Sequence, residues 1–363
     1  MRRIAFFLPN LHGGGAERVA INLLKGLLDQ ELSLDLVLAR AEGPYLKEVP
    51  SAVRVIDLDE TGVMRAVLPL TKYLQKYQPY ALIAHLAHAN VAAVLAKQLA
   101  RTSTRVVLVE HDNISAGKSK VLKGRLLPLF MKFLYPCAEA IVSVSQGIKQ
   151  DLHTQINLTE EKVRTIYNPV VDGTLMEKAN ATLNHPWFQP GFPPVFLGVG
   201  RLTEQKDFLT LIQAFAQLRQ QKFARLIILG EGEDRSQLEA EIHRLGLTED
   251  IALPGFIDNP YAYMHRASAF VLSSRWEALP TVLIEAMACG CPVISTDCPF
   301  GPQEILEDGK HGALVPVGNV SALAKSMLDA LKFPQHRELL THRASDFSFE
   351  LSVRNYLSLL NSI

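Results

Sequence analysis

At 363 residues, with 48% hydrophobic and 20% charged positions, the chain is an ordinary globular sequence with enough apolar content for more than one core, so two domains are expected. Lys plus Arg and Asp plus Glu both total 37, and the zero net charge argues against a dedicated nucleic-acid binder. Of the four cysteines, Cys289, Cys291 and Cys298 cluster. No second His or Cys pair completes a metal site, so all four, Cys137 included, read as buried, reduced thiols of a reducing compartment.

The opening "MRRIAFFLPN" carries two arginines, but its apolar core at 4–8 is too short for a signal peptide and lacks a small-residue cleavage site. No apolar run reaches bilayer-spanning length. A cytoplasmic protein is expected. Short runs rich in β-branched residues then alternate with longer amphipathic ones, the pattern of βα units around a parallel sheet. Strands are expected at 4–9, 34–39, 53–58, 81–85, 106–110 and 140–143. In the second half they are expected at 195–199, 225–229, 251–253, 269–272, 292–295 and 313–316. Between the halves, 168–194 is proline-rich and reads as linker and loop. The expectation is an α/β protein of two Rossmann-like, doubly wound domains facing a cleft. Residues 1–180 form one domain and 181–346 the other, with ligands bound outside the strand ends where the strand order reverses.

After the first strand, "NLHGGGAERVAINLL" sets Gly13, Gly14 and Gly15 before a helix beginning near Ala16. Glycines let backbone approach a ligand, and a helix N-terminus favours an anion, although a plain tight turn explains the triplet equally well. The dinucleotide fingerprint is absent. "DLD" at 57–59 looks like a metal-binding D-x-D, but it ends a strand far from the other motifs and reads as a loop start. His85, in "IAHLAHAN", reads as a structural histidine and stays outside the site. "GKSKVLKGRLLPLFMKFLYP" places Lys118, Lys120, Lys123, Arg125 and Lys132 among apolar residues. Such a segment lies on an anionic surface or covers a core with a solvated face, and peripheral membrane contact through 118–132 is the working hypothesis.

In the second half, "GVGRLTEQKD" offers Arg201 and Lys206 beside Gly198 and Gly200, cations suited to a diphosphate. The turn "LGEGED" at 229–234 reads as structural. "SSRWEALPTVLIEAMACGCPVIST" reads as strand, loop and helix, with Pro280 at the first helical position and Gly290 past the end. Leu279 has no capping side chain, so the N–H groups near Thr281 and Val282 need an outside acceptor, for which a phosphate would serve. Glu277 and Glu285 flank that helix start, and they more plausibly accept from hydroxyls than touch a diphosphate. The final stretch, 347–360, reads as an amphipathic helix.

"EALPTVLIE" resembles the E-x7-E motif of retaining glycosyltransferases of family 4, with the two-domain GT-B fold. "GVGRLTEQKDF" resembles their diphosphate loop, "LHGGGAERV" their N-terminal glycine loop, and "GCPVISTDCPFGPQEIL" the segment after the motif. The resemblance spans nearly the whole chain and is weakest at 40–80 and in the linker. It implies a nucleotide-sugar donor, with uridine diphosphate as the expected carrier. Glu285 would hold ribose, Arg201 and Lys206 the diphosphate, and Glu277 the transferred sugar, while backbone near Ile257 meets the base. His111 matches the histidine that faces the reacting sugar, and Gly14 and Gly15 would complete the phosphate site. The terminal helix, 347–363, would return to the first domain. Ala278 and Pro280 depart from the glycine-rich form of the motif, which bears on the sugar contacts.

The implied function is transfer of a hexose or N-acetylhexosamine, with retention, to a glycan or lipid-linked glycan during cell-surface polysaccharide or lipopolysaccharide assembly. It would act in the cytoplasm at the inner face of the membrane, without metal, cofactor or nucleic acid. A sugar-nucleotide epimerase of the same fold and a non-catalytic nucleotide-sugar-binding protein remain open alternatives.

Overall fold

A computed structural model describes residues 2–115, 122–333 and 335–363. Its strands are β1 (Arg2–Leu8), β2 (Leu32–Leu38), β3 (Arg54–Asp57), β4 (Ala81–His85), β5 (Arg105–Glu110), β6 (Ala140–Ser143) and β7 (Val163–Thr165). A second set follows as β8 (Val195–Val199), β9 (Arg225–Leu229), β10 (Ile251–Gly255), β11 (Ala269–Leu272), β12 (Val293–Thr296) and β13 (Ala313–Val315). All twelve expected strands are present. β7 is the addition: it has three residues, with Arg164 exposed, and is too short and polar to show periodicity.

The first sheet runs β3-β2-β1-β4-β5-β6-β7 and the second β10-β9-β8-β11-β12-β13, every pairing parallel. Both are doubly wound. Strand order reverses between β1 and β4, and again between β8 and β11, so loops leaving those strands share one sheet edge. The central strands are apolar at nearly every position because helices cover both faces. In the second core Phe196, Phe215 and Leu226 have no exposed surface, and each such burial contributes about 1.5–3 kcal/mol.

The chain divides into two compact units, Met1–Pro169 with Phe349–Ile363, and Val170–Ser348. Residues 170–180, placed by the sequence with the first domain, therefore go with the second. The stretch expected to be loop contains a helix, Leu175–Asn180, whose carbonyl end is tied there: Asn259 Nδ2 donates to Lys178 O (2.8 Å) and Arg266 Nη1 to Ala179 O (3.0 Å). Only Leu175 and Ala179 of it are buried, too little for an apolar period. The terminal helix, Phe349–Ser362, packs on the helix Gly15–Leu27, where a Cβ on Gly26 would sit 2.4 Å from Val353. Tyr80 OH donates to Leu360 O (2.9 Å) and Ser352 Oγ to Tyr167 O (2.9 Å).

Cys289, Cys291 and Cys298 are buried, and burial pushes the Cys289 and Cys298 thiols up to about 12. Cys137 is exposed, against expectation, on a turn whose buried anchor is Tyr135. Among the described residues no helix is long and apolar enough to cross a membrane.

Candidate active site

In the second unit, the neighbouring positions of β8 and β11 bring together loops far apart in sequence. The loop after β8 is seated by glycines. A Cβ on Gly230 (φ +137°) would fall 1.9 Å from Gly200 O, and one on Gly232 would fall 2.2 Å from Leu202 O. The turn at 229–234 is thus a cradle: Gly200 N donates to Leu229 O (3.0 Å) and Leu202 N to Glu231 O (2.9 Å). Asp207, at φ +46°, caps the helix Phe208–Arg219 and accepts from Thr210 Oγ1 (2.8 Å). Arg275, from the loop after β11, lies 3.1 Å from the same carboxylate.

Three more bonds stitch the loops: Arg275 N to Gln205 O (2.8 Å), Gln205 Nε2 to Trp276 O (3.0 Å) and Ser273 Oγ to Lys206 O (2.8 Å). Held this way, Lys206 Nζ donates to Glu277 Oε1 at 2.6 Å, and Ser274 Oγ donates to the same oxygen at 2.6 Å. The Lys206 and Glu277 side chains are only 17% and 7% exposed, so both ions are largely withdrawn from water and each depends on the other. The backbone of Glu277 is clamped as well, its N–H donating to Pro299 O and its C=O accepting from Phe300 N, both 2.8 Å. Lys206 and Glu277 were expected on different parts of a ligand; in this structure they pair directly. Ser274 was not anticipated, since a serine before a loop carries no sequence signal of its own.

The following helix spans Thr281–Ala288. Pro280 takes the capping position rather than the first helical one and supplies no side-chain cap, and Gly290 (φ +70°) follows the C-cap Cys289. Thr281, Val282 and Glu285 are half-buried on it. Arg201 is exposed on the β8 loop, and Ile257 lies half-buried two residues beyond β10. The second unit therefore brings Lys206, Ser274 and Glu277 together at the loop that leads into the helix bearing Glu285.

In the first unit, Gly14 caps the helix Gly15–Leu27 without a side-chain bond. A Cβ on Gly15 would meet nothing within 4 Å, whereas one on Gly14 would meet the Glu17 carboxylate at 2.3 Å. His111 follows β5 directly, and its Nε2 lies 2.9 Å from Nδ1 of His85, the last residue of β4. Burial pushes His111 down to about 3 and holds His85 far below the ordinary imidazole range, with His111 adding to the latter. His85, set aside from sequence, is in direct contact with His111. Next to it Glu110 is fully enclosed, accepting from Tyr135 OH and from Asn90 Nδ2 (2.6 Å), and burial raises its carboxyl to about 8. A cavity of about 180 Å³ lies against His88, Glu110, Asp112 and Met131. At 57–59, Asp59 N donates to Asp57 Oδ1 (2.8 Å), closing a turn after β3. No group of three or more His, Cys, Asp or Glu among the described residues is arranged to hold a metal.

Two doubly wound parallel-sheet units in one chain are the architecture of the GT-B class. Two family models tile the chain: Glycosyltransferase Family 4 matches residues 13–172 and Glycosyl transferases group 1 matches 185–346. The chain belongs to the family 4 glycosyltransferases of GT-B fold. An uncharacterized glycosyltransferase of Methanocaldococcus jannaschii is 31% identical over 67% of this chain, the match spanning 62% of that relative. N-acetylgalactosamine-N,N'-diacetylbacillosaminyl-diphospho-undecaprenol 4-alpha-N-acetylgalactosaminyltransferase of Campylobacter jejuni is 29% identical over 95% of this chain and 94% of its own. Among solved structures, Anabaena Alr3699/HepE in complex with UDP-glucose superimposes with a TM-score of 0.83, at 22% identity and full coverage of both chains, a likeness of fold.

Proposed function

We propose that this glycosyltransferase moves a hexose or N-acetylhexosamine from a UDP-sugar to a glycan or lipid-linked glycan, retaining the anomeric configuration, in the assembly of a cell-surface polysaccharide. The observation that carries this reading is the Lys206–Glu277–Ser274 cluster, held by stitched loops, one of which leads into the helix bearing Glu285. Lys206 and Arg201 bind the diphosphate and, with the N–H groups of Thr281 and Val282, stabilise charge on the leaving phosphate without a metal. Glu285 accepts from the ribose hydroxyls, Ile257 backbone meets the base, and Glu277 accepts from hydroxyls of the transferred sugar. His111 faces that sugar from the first unit, and Gly14 and Gly15 approach the phosphates. The acceptor hydroxyl attacks on the face the phosphate leaves, and the departing phosphate oxygen takes its proton, so Glu277 is not a nucleophile.

The C. jejuni relative, by its name, acts on a diphospho-undecaprenol-linked sugar, which supports a lipid-linked acceptor here. Peripheral contact with the inner face of the membrane, from the cytoplasm, follows for the same reading. On the helix Leu122–Leu134, Leu126, Leu129, Phe130 and Phe133 are 49%, 49%, 51% and 69% exposed. Their i, i+3, i+4, i+7 spacing makes one apolar stripe, with Lys132 exposed beside it. Lys118 and Lys120 lie outside the described residues, as do the side chains of Lys123 and Arg125. Phe130→Glu with Phe133→Glu should abolish sedimentation with anionic vesicles, and retained binding would sink the membrane reading.

The function is tested by incubating the protein with UDP-glucose, UDP-galactose and their N-acetyl forms, and following slow UDP release together with the anomer first formed. Release of the α-sugar from one α-linked donor is expected. An inverted anomer, or no release from any donor, contradicts the reading.

A further inference from the structure

The paired histidines of the first unit hold information that the donor loops do not. His85 pairs in register with Val109, so His111, two residues beyond Val109, emerges on the same face of the sheet. Phe6, from β1, stacks on the His85 ring at 5.8 Å and 17°, and His111 lies along its other side at 5.1 Å and 25°. His85 has no exposed surface, so its ring is fixed by packing as well as by the 2.9 Å contact.

We propose that His85 is a positioning residue: its Nδ1–H donates to His111 Nε2 and so holds His111 in the tautomer that carries its proton on Nδ1. The argument is one of proton accounting. Burial keeps both rings neutral, so a single proton occupies the Nδ1···Nε2 contact. If His111 supplied it, His85 would carry its own proton on Nε2. That nitrogen is buried and has no partner among the described residues. A buried N–H without an acceptor is rarer than a buried acceptor left bare. The proton therefore belongs to His85 Nδ1, and His85 Nε2 is the bare acceptor. The hydrogen bond made by one imidazole nitrogen sets the state of the other, so His111 is left with an Nδ1–H donor. The catalytic half of this inference rests on the reading that His111 faces the transferred sugar. There, the Nδ1–H is offered to a sugar oxygen, which a bare nitrogen could not serve.

The test is histidine side-chain NMR on ¹⁵N-labelled protein, with His111 assigned through a His111→Asn variant, alongside turnover read as UDP release from the preferred UDP-sugar. Wild type should show His111 as the Nδ1–H tautomer. His85→Leu should lose that signature and lower kcat about tenfold, the worth of one ordinary hydrogen bond, while donor KM stays within about threefold. His85→Asn, whose amide nitrogen can occupy the Nδ1 position, should recover the signature and most of kcat. An Nε2–H tautomer in wild type overturns the proposal, and so does an unchanged signature in His85→Leu. If His85→Leu does not fold, the wild-type spectrum and His85→Asn still decide. Should the tautomer be as assigned while His111→Asn turns over like wild type, the sugar-facing reading of His111 fails, and the catalytic half falls with it.

Discussion

The two units share a strand order but solve opposite problems at the same sheet edge. In the second, the loops at the switch point are charged and are tied to one another by backbone and side-chain hydrogen bonds around the Lys206–Glu277 pair. In the first, the groups at the ends of β4 and β5 are buried and uncharged. His85 and His111 are neutral, and Glu110 is pushed up to about 8 by the enclosure that gives it Tyr135 and Asn90 as partners. One topology thus carries a charged, hydrogen-bonded loop cluster in one copy and a desolvated group of hydrogen-bonding side chains in the other. The difference lies in the loops, not in the sheets.

The sharpest way to break this comparison is at Lys206. Lys206→Met should lower turnover at least a hundredfold, the usual scale for losing one donor to developing charge. It should also destabilise the fold by about 3–5 kcal/mol, because it strands a carboxylate that is 7% exposed. Adding Glu277→Gln should restore much of the stability and none of the turnover, read by thermal unfolding and UDP release.

The glycines give the next contrast. Gly230→Ala forces a Cβ against Gly200 O at a φ of +137° and should cost about 2–4 kcal/mol while dislodging the Arg201 loop. Gly15→Ala, in the first unit, has open space and a helical position, so its stability should rise by up to about 1 kcal/mol. A fall in turnover in a Gly15→Ala protein of undiminished stability is the outcome expected of the proposed approach of this backbone to the phosphates. Denaturant midpoints measured beside turnover separate the two effects.

A third contrast is a pH dependence. The Glu110 carboxyl titrates at about 8 when folded against 4.5 for a free one, so the folded state binds the extra proton between those values. Its contribution to stability is complete below pH 4.5 and is lost as pH rises through about 8. Glu110→Gln mimics the protonated acid. Its unfolding free energy should match wild type near pH 5 and exceed it at pH 9; a variant less stable than wild type at pH 9 contradicts the assignment.

The fold was legible because both sheets are buried on two faces, which turns each central strand into an apolar run that composition alone reveals. β7 and the helix Leu175–Asn180 were not, since each owes its place to partners distant in sequence rather than to its own pattern. Arg201, Lys206, Glu277 and Glu285 stood out as candidates because chemistry-bearing residues fall there beside loop-forming glycines and proline. The Lys206–Glu277 pairing did not, because it depends on β8 lying beside β11. His85 was passed over for the same reason. An isolated histidine at a strand end gains meaning only when the adjacent strand delivers His111 to it.

The central claim is that the two glutamates of the motif divide a UDP-sugar between them, Glu285 on the ribose and Glu277 on the transferred sugar. Calorimetric titration of UDP, which lacks the transferred sugar, tests it directly. Glu285→Gln should weaken UDP about ten- to a hundredfold, the worth of a hydrogen bond to a charged group of roughly 1.5–3 kcal/mol. Glu277→Gln removes no contact to UDP and frees Lys206 from its 2.6 Å partner, so UDP should bind as well as to wild type or better. An equal loss of UDP affinity in the two variants would contradict the account.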